Sequence, residues 1–124
     1  VIRVAYGDWK ETKSVSTFDA NWKKAMQRIV QTFIEQQRLT NEGPYSFQRQ
    51  AANPTDSQYG GGYGNPTKKV GLIHSMFRPS DDSTFYPFLI SSNMFAVVSL
   101  RQLAEMWSAL EPTSDFKQTC TTLA

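Results

Sequence analysis

The sequence predicts an all-α chain: two helical hairpins held apart by one long loop. Three observations lead there. Apolar residues recur at helical spacing in four stretches, short turn-like joints pair the helices two by two, and the stretch from Arg38 to Ile90 keeps no helical period while holding most of the glycines and prolines. Paired helices around a long decorated loop suggest one sector of an all-helical toroid whose loops line a central pocket.

The elements follow in order. Ile2, Ala5, Tyr6 and Trp9 fall at i, i+3, i+4 and i+7, so a first helix is already under way at the start of the chain. A second runs from about Asp19 to Gln37. Its apolar face is Trp22, Ala25, Met26, Ile29, Val30, Phe33 and Ile34, while Lys23, Lys24, Gln27, Arg28, Gln31, Thr32 and Glu35 fill the other side. Thr17 or Asp19 is placed to accept a hydrogen bond from its first free amides. A third helix spans about Asn93 to Leu110, capped by Ser91 or Ser92. Its first half, Met94 to Val98, is apolar on nearly every side and is expected to be enclosed. Pro112 ends that helix, and Thr113 or Ser114 can cap a fourth bearing Phe116, Cys120 and Leu123. With no stop signal before Ala124 and no start methionine, both termini read as cuts, and the 124 residues as a single partial domain. Trp22, Phe33, Met94, Phe95 and Trp107 are expected in the core.

Composition narrows the function. A formal net charge of +2 lacks the concentrated positive field that tracks a phosphate backbone, so nucleic acid is not an expected partner. No apolar run approaches the roughly 20 residues of a membrane span. One cysteine, Cys120, and one histidine, His74, supply neither an internal disulfide nor a zinc cluster. Gly60-Gly61-Gly62-Tyr63-Gly64 has the composition of a phosphate cradle, but no Gly-Lys-Ser/Thr follows it. Asp81 and Asp82 do not fit a calcium loop, and no nucleophile motif accompanies His74.

One stretch carries a positive signal: Phe77-Arg78-Pro79-Ser80-Asp81-Asp82, followed by Asn93-Met94-Phe95-Ala96-Val97-Val98 and Leu103-Ala104-Glu105. It resembles glycoside hydrolase family 125, the exo-α-1,6-mannosidases. Phe18-Asp19-x-Asn21-Trp22-Lys23-Lys24-Ala25-Met26, Pro44-Tyr45-x-Phe47-Gln48-Arg49 and Gly64-Asn65-Pro66 are similar to that family in the same order, so the likeness covers essentially the whole chain. It implies a six-hairpin (α/α)6 toroid in a protein several times longer. It also implies release of a terminal α-1,6-linked mannose with inversion, without a metal or organic cofactor. The implied partners are a mannose-containing glycan and the remainder of the catalytic domain.

Inversion needs two carboxyl groups about 6.5–9.5 Å apart on opposite faces of the sugar. Asp81 and Asp82 are neighbours and do not meet that demand. The family's acid lies before the segment matching Ile2 to Trp9 and its base beyond the one matching Leu123, so no residue here inherits either role, and the chain alone is expected to be inactive. Substrate binding is expected instead at Arg78, Asp81 and Asp82, flanked by Phe77, Phe85 and Tyr86, with Arg49 and His74 as further candidates. The alternatives are an Arg78–Asp82 pair that merely pins the turn around Pro79, a surface role for Arg49 and a structural one for His74. A different class of function, a non-catalytic helical interaction module, is the second reading.

Overall fold

The computed structural model describes residues 1–124. Four α-helices form: α1 (Ile2–Thr12), α2 (Ala20–Glu35), α3 (Ile90–Leu110) and α4 (Asp115–Leu123). Between α2 and α3 lie three single-turn 3₁₀ helices, Thr40–Glu42, Pro54–Asp56 and Gly60–Gly62. No strand is present; Phe77 and Ser83 make one isolated antiparallel pairing. The all-α class expected from the sequence is therefore the one found. The chain divides into two compact units, Val1–Thr32 with Met94–Ala124, and Phe33–Asn93.

In the first unit, α1 stops at Lys13, whose φ of 57° is left-handed and whose N–H returns to the Trp9 carbonyl at 2.9 Å. Asp19 caps α2, its Oδ1 accepting from the Trp22 N–H at 2.7 Å. Met26 and Val30 of α2 are buried, as are Leu100, Leu103, Met106 and Trp107 of α3 and Cys120 of α4. Trp107 lies at the centre, its ring 6.0 Å from Trp22 and 4.4 Å from Phe116. At the rim, Glu105 accepts from Tyr6 Oη at 2.6 Å and from Lys10 Nζ, and Lys23 pairs with Glu111 at 2.6 Å. The Lys10 hydrogen bond holds the Glu105 carboxyl below its ordinary range.

Two expectations about α3 are corrected. The helix starts at Ile90, so Ser91 and Ser92 lie in its first turn and do not cap it. Met94 and Phe95, expected in the core, are 67% and 54% exposed, and Ile90 and Val98 are exposed with them. The cause is geometric. Ala96, Ser99, Leu100, Leu103, Met106 and Trp107 follow steps of three and four and take the buried face, which leaves the other side of an all-apolar half-helix uncovered.

The second unit explains how a long irregular segment satisfies its backbone. Near the end of α2, the Gln36 carbonyl accepts from the His74 N–H at 2.9 Å. Near the start of α3, the buried Asn93 side chain accepts from the Ile73 N–H at 2.8 Å and donates to the Ile73 and Leu89 carbonyls, each at 3.1 Å. Residues 73 and 74 are thus hydrogen-bonded to Gln36, just past the end of α2, and to Asn93 in the first turn of α3, which leaves little backbone polarity at this point uncompensated.

Candidate functional site

The Arg78–Asp82 stretch forms a tight loop. Pro79 presets the turn, the Asp81 N–H returns to the Arg78 carbonyl at 2.9 Å, and the Arg78 N–H donates to the Asp82 carbonyl at 2.8 Å. Asp81 takes the left-handed position with φ 66°, a region where aspartate is among the better tolerated side chains. Across this loop Arg78 Nη2 lies 2.9 Å from Asp82 Oδ2, and Ser80 Oγ donates to the same oxygen at 2.6 Å. The pairing that pins the turn is present, yet the Arg78 side chain remains 50% exposed, with further donors facing solvent.

Neighbouring segments bring Arg49 to the same region. The Phe47 and Phe77 rings meet edge to face at 5.4 Å, and the Arg49 guanidinium lies 5.8 Å from the Phe47 ring centre. Arg49 Nε donates to the Asp56 carbonyl at 2.7 Å, while the Ser83 N–H donates to the Thr55 carbonyl at 2.7 Å. The segment carrying Arg49 is thereby stitched to the one carrying Arg78, Asp81 and Asp82. Phe85 and Tyr86, 5.0 Å apart, are largely exposed, and Tyr59 approaches Phe85 at 6.1 Å. Guanidinium, carboxylate and open aromatic faces together can hold hydroxyl groups and stack on the apolar face of a ring.

His74 is placed differently. It is 5% exposed, its ring is edge-on to Phe88 at 5.5 Å, and its Nε2 lies 3.1 Å from Thr67 Oγ1. Burial, reinforced by the nearby Arg38 charge, pushes its pKa down to about 4, so it does not titrate near neutrality. Around it is a buried polar group that sequence reasoning missed. Arg38, 4% exposed, donates through Nε to Gln36 Oε1 at 2.9 Å and through Nη1 to the Leu39 and Thr40 carbonyls. Gln58 donates to the Met76 carbonyl. Polar types such as these normally read as surface, and no periodicity marks them; the available signal for Gln58 was its position beside the glycine-rich stretch, and Arg38 had none.

No group of three or more His, Cys, Asp or Glu side chains comes together where a metal ion could be held. No helix is long and apolar enough to cross a membrane.

Comparison with known proteins covers the whole chain. The family model described as metal-independent alpha-mannosidase (GH125) matches residues 1–124. The meiotically up-regulated gene 157 protein of Schizosaccharomyces pombe is 32% identical over 117 residues, 87% of this chain and 23% of that protein. A solved structure of a metal-independent α-mannosidase from Streptococcus pneumoniae, in a non-productive substrate complex with α-1,6-mannobiose, superposes with a TM-score of 0.91 at 34% identity. It covers 98% of this chain and 29% of its own. The chain thus spans about a quarter of the length of these relatives.

Proposed function

The chain belongs to the metal-independent α-mannosidase family, glycoside hydrolase family 125, and from that premise we propose that it is part of an inverting enzyme releasing terminal α-1,6-linked mannose. In this reading it supplies scaffold and a substrate-binding loop in one sector of a six-hairpin helical toroid. The observation that carries the loop assignment is the half-exposed Arg78 guanidinium, fixed by Asp82 at 2.9 Å on a turn that leaves its other donors free for hydroxyl groups. Asp81 and Asp82 add acceptors, Arg49 a second cation, and Phe85 and Tyr86 open rings. His74 acts by holding Thr67 rather than by touching sugar. The α-1,6-mannobiose bound by the streptococcal relative supports the linkage.

Inversion calls for an acid on one face of the sugar and a base activating water on the other. Adjacent carboxylates on a single tight turn cannot bracket a ring, which excludes Asp81 and Asp82 as the pair; the resemblance to the family implies that the reacting carboxyls lie in segments outside residues 1–124, and in this reading the chain by itself hydrolyses nothing. The test is a protein that contains these residues together with the flanking segments of the family, given α-1,6-mannobiose and followed by NMR. Initial release of β-mannose is expected. A folded protein that leaves the disaccharide intact, or first releases the α anomer, overturns the reading.

A further inference from the structure

Phe85 and Tyr86 leave the body of the Phe33–Asn93 unit between two anchors. On one side the Thr84 N–H donates to the Met76 carbonyl at 3.0 Å and the Thr84 hydroxyl to the Ser75 carbonyl at 2.6 Å. On the other, the Ser75 N–H donates to the Pro87 carbonyl at 2.7 Å. The two residues between them project, 60% and 80% exposed, their rings edge to face with an interplanar angle of 83°. One hydrogen bond reaches their backbone: Asn65 Nδ2 donates to the Phe85 carbonyl at 2.9 Å. A carbonyl only accepts, so the Asn65 amide must present its nitrogen there. That carbonyl belongs to the same planar peptide as the Tyr86 N–H. Holding it sets the direction in which the chain enters Tyr86, and with it the corner between the two rings.

The backbone of Asn65 has little freedom of its own. Gly64 before it takes φ 92°, a conformation that favours glycine, and Pro66 after it disfavours the helical region for Asn65. The buried Thr40 hydroxyl donates to the Asn65 carbonyl at 2.7 Å. Thr67 Oγ1 lies 2.9 Å from Thr40 Oγ1, and His74 Nε2 lies 3.1 Å from Thr67 Oγ1, so this anchor continues into the buried histidine. The preceding turn is closed as well, since the Gly62 and Gly64 N–H groups both donate to the Tyr59 carbonyl at 3.0 Å. The Tyr59 ring then meets Phe85 at 6.1 Å. The main chain of Asn65 is thus tied to the interior, while its side chain reaches out to the projecting pair.

We propose that Asn65 is a positioning residue: its amide fixes the Phe85–Tyr86 corner and acts on substrate affinity through those rings, without touching sugar itself. The proposal rests on the mannosidase reading for what the rings hold. The experiment uses a protein that contains these residues together with the flanking segments of the family. Asn65→Ala removes the donor, and Asn65→Asp keeps the shape but sets a carboxylate oxygen against the Phe85 carbonyl. Nitrogen-15 relaxation in the absence of sugar should show a loosened Tyr86 amide in both variants. The Thr84 and Phe88 amides and the melting temperature should change little, because the lost bond is at the surface. On α-1,6-mannobiose, KM should rise about two- to tenfold, the equivalent of one hydrogen bond. The change in kcat should stay within about twofold, because a stacked ring holds ground and transition states alike. In a Tyr86→Ala background the Asn65 substitutions should change KM far less, since the side chain they displace is gone. An unaltered Tyr86 amide, an unchanged KM or an undiminished effect in Tyr86→Ala overturns the proposal, as does failure of both Asn65 variants to fold. A native enzyme that leaves the disaccharide intact refutes the mannosidase reading instead, and the Tyr86 amide still decides whether Asn65 holds the corner.

Discussion

The Trp107 indole N–H donates to the Ser114 hydroxyl at 3.2 Å, and the same hydroxyl accepts from the Phe116 N–H at 3.3 Å to cap α4. One oxygen therefore serves the largest fully buried side chain and the start of the last helix. Ser114→Ala removes the cap and the hydroxyl acceptor of the indole N–H. A loss of about 1–2 kcal/mol is expected in chemical denaturation, whereas Ser114→Asp, which still accepts, should retain most of the stability.

Arg78→Ala and Asp82→Ala each break a pair that is substantially exposed, and such pairs contribute on the order of 0–1 kcal/mol. In a complete enzyme, both variants should bind α-1,6-mannobiose more weakly while the melting temperature moves little. Calorimetry alongside thermal melts checks this. A large fall in melting temperature with unchanged affinity per folded molecule would assign the pair to holding the turn alone.

His74 predicts an acid-side loss of stability. Its folded pKa of about 4 lies below the unfolded value near 6.5, so between these limits the unfolded chain takes up a proton that the folded chain refuses. The contribution is fully present above about pH 6.5 and declines as pH falls to about 4. Denaturation midpoints measured across that window should drop with pH for the native protein. In His74→Gln, this part of the slope should disappear, whatever the absolute stability of the variant.

Gly43 touches the buried arginine. A Cβ there would fall 2.6 Å from Arg38 Cζ and 2.9 Å from its Nε and Nη2. With φ at −66° the backbone tolerates any residue, so the constraint is the guanidinium itself. Gly43→Ala should force Arg38 off its carbonyl acceptors and destabilise by about 1–3 kcal/mol. Pairing it with Arg38→Ala in a double-mutant cycle should recover part of that cost, since the clash is then gone.

Helix boundaries were legible where local chemistry decides them. Asp19 and Ser114 cap α2 and α4 as their residue types suggest, and the steps of three and four along α2 mark Met26 and Val30 correctly. Met94 and Phe95 show where the signal ends. Periodicity says which residues prefer to be covered, but a helix apolar all round does not say which face a neighbour reaches. Arg78, Asp81 and Asp82 could be singled out as candidates because a short polar loop between aromatic residues is locally visible. Arg38 and Gln58 could not: Gln58 is buried against the carbonyl of Met76, 18 residues away, and Arg38 by folding its guanidinium back on the carbonyls of its neighbours Leu39 and Thr40, a conformation that no periodicity marks.

The hydrogen bond between the Gln36 carbonyl and the His74 amide bears on the order of assembly. Its partners are separated by most of the irregular segment, and closing so large a loop costs entropy that neighbouring residues cannot offset on their own. Contacts of this kind slow folding, while helical turns form on far shorter timescales. The end of α2 is then the template on which the irregular segment comes to rest, and the sequence between them reaches its final shape as a late event rather than by local nucleation.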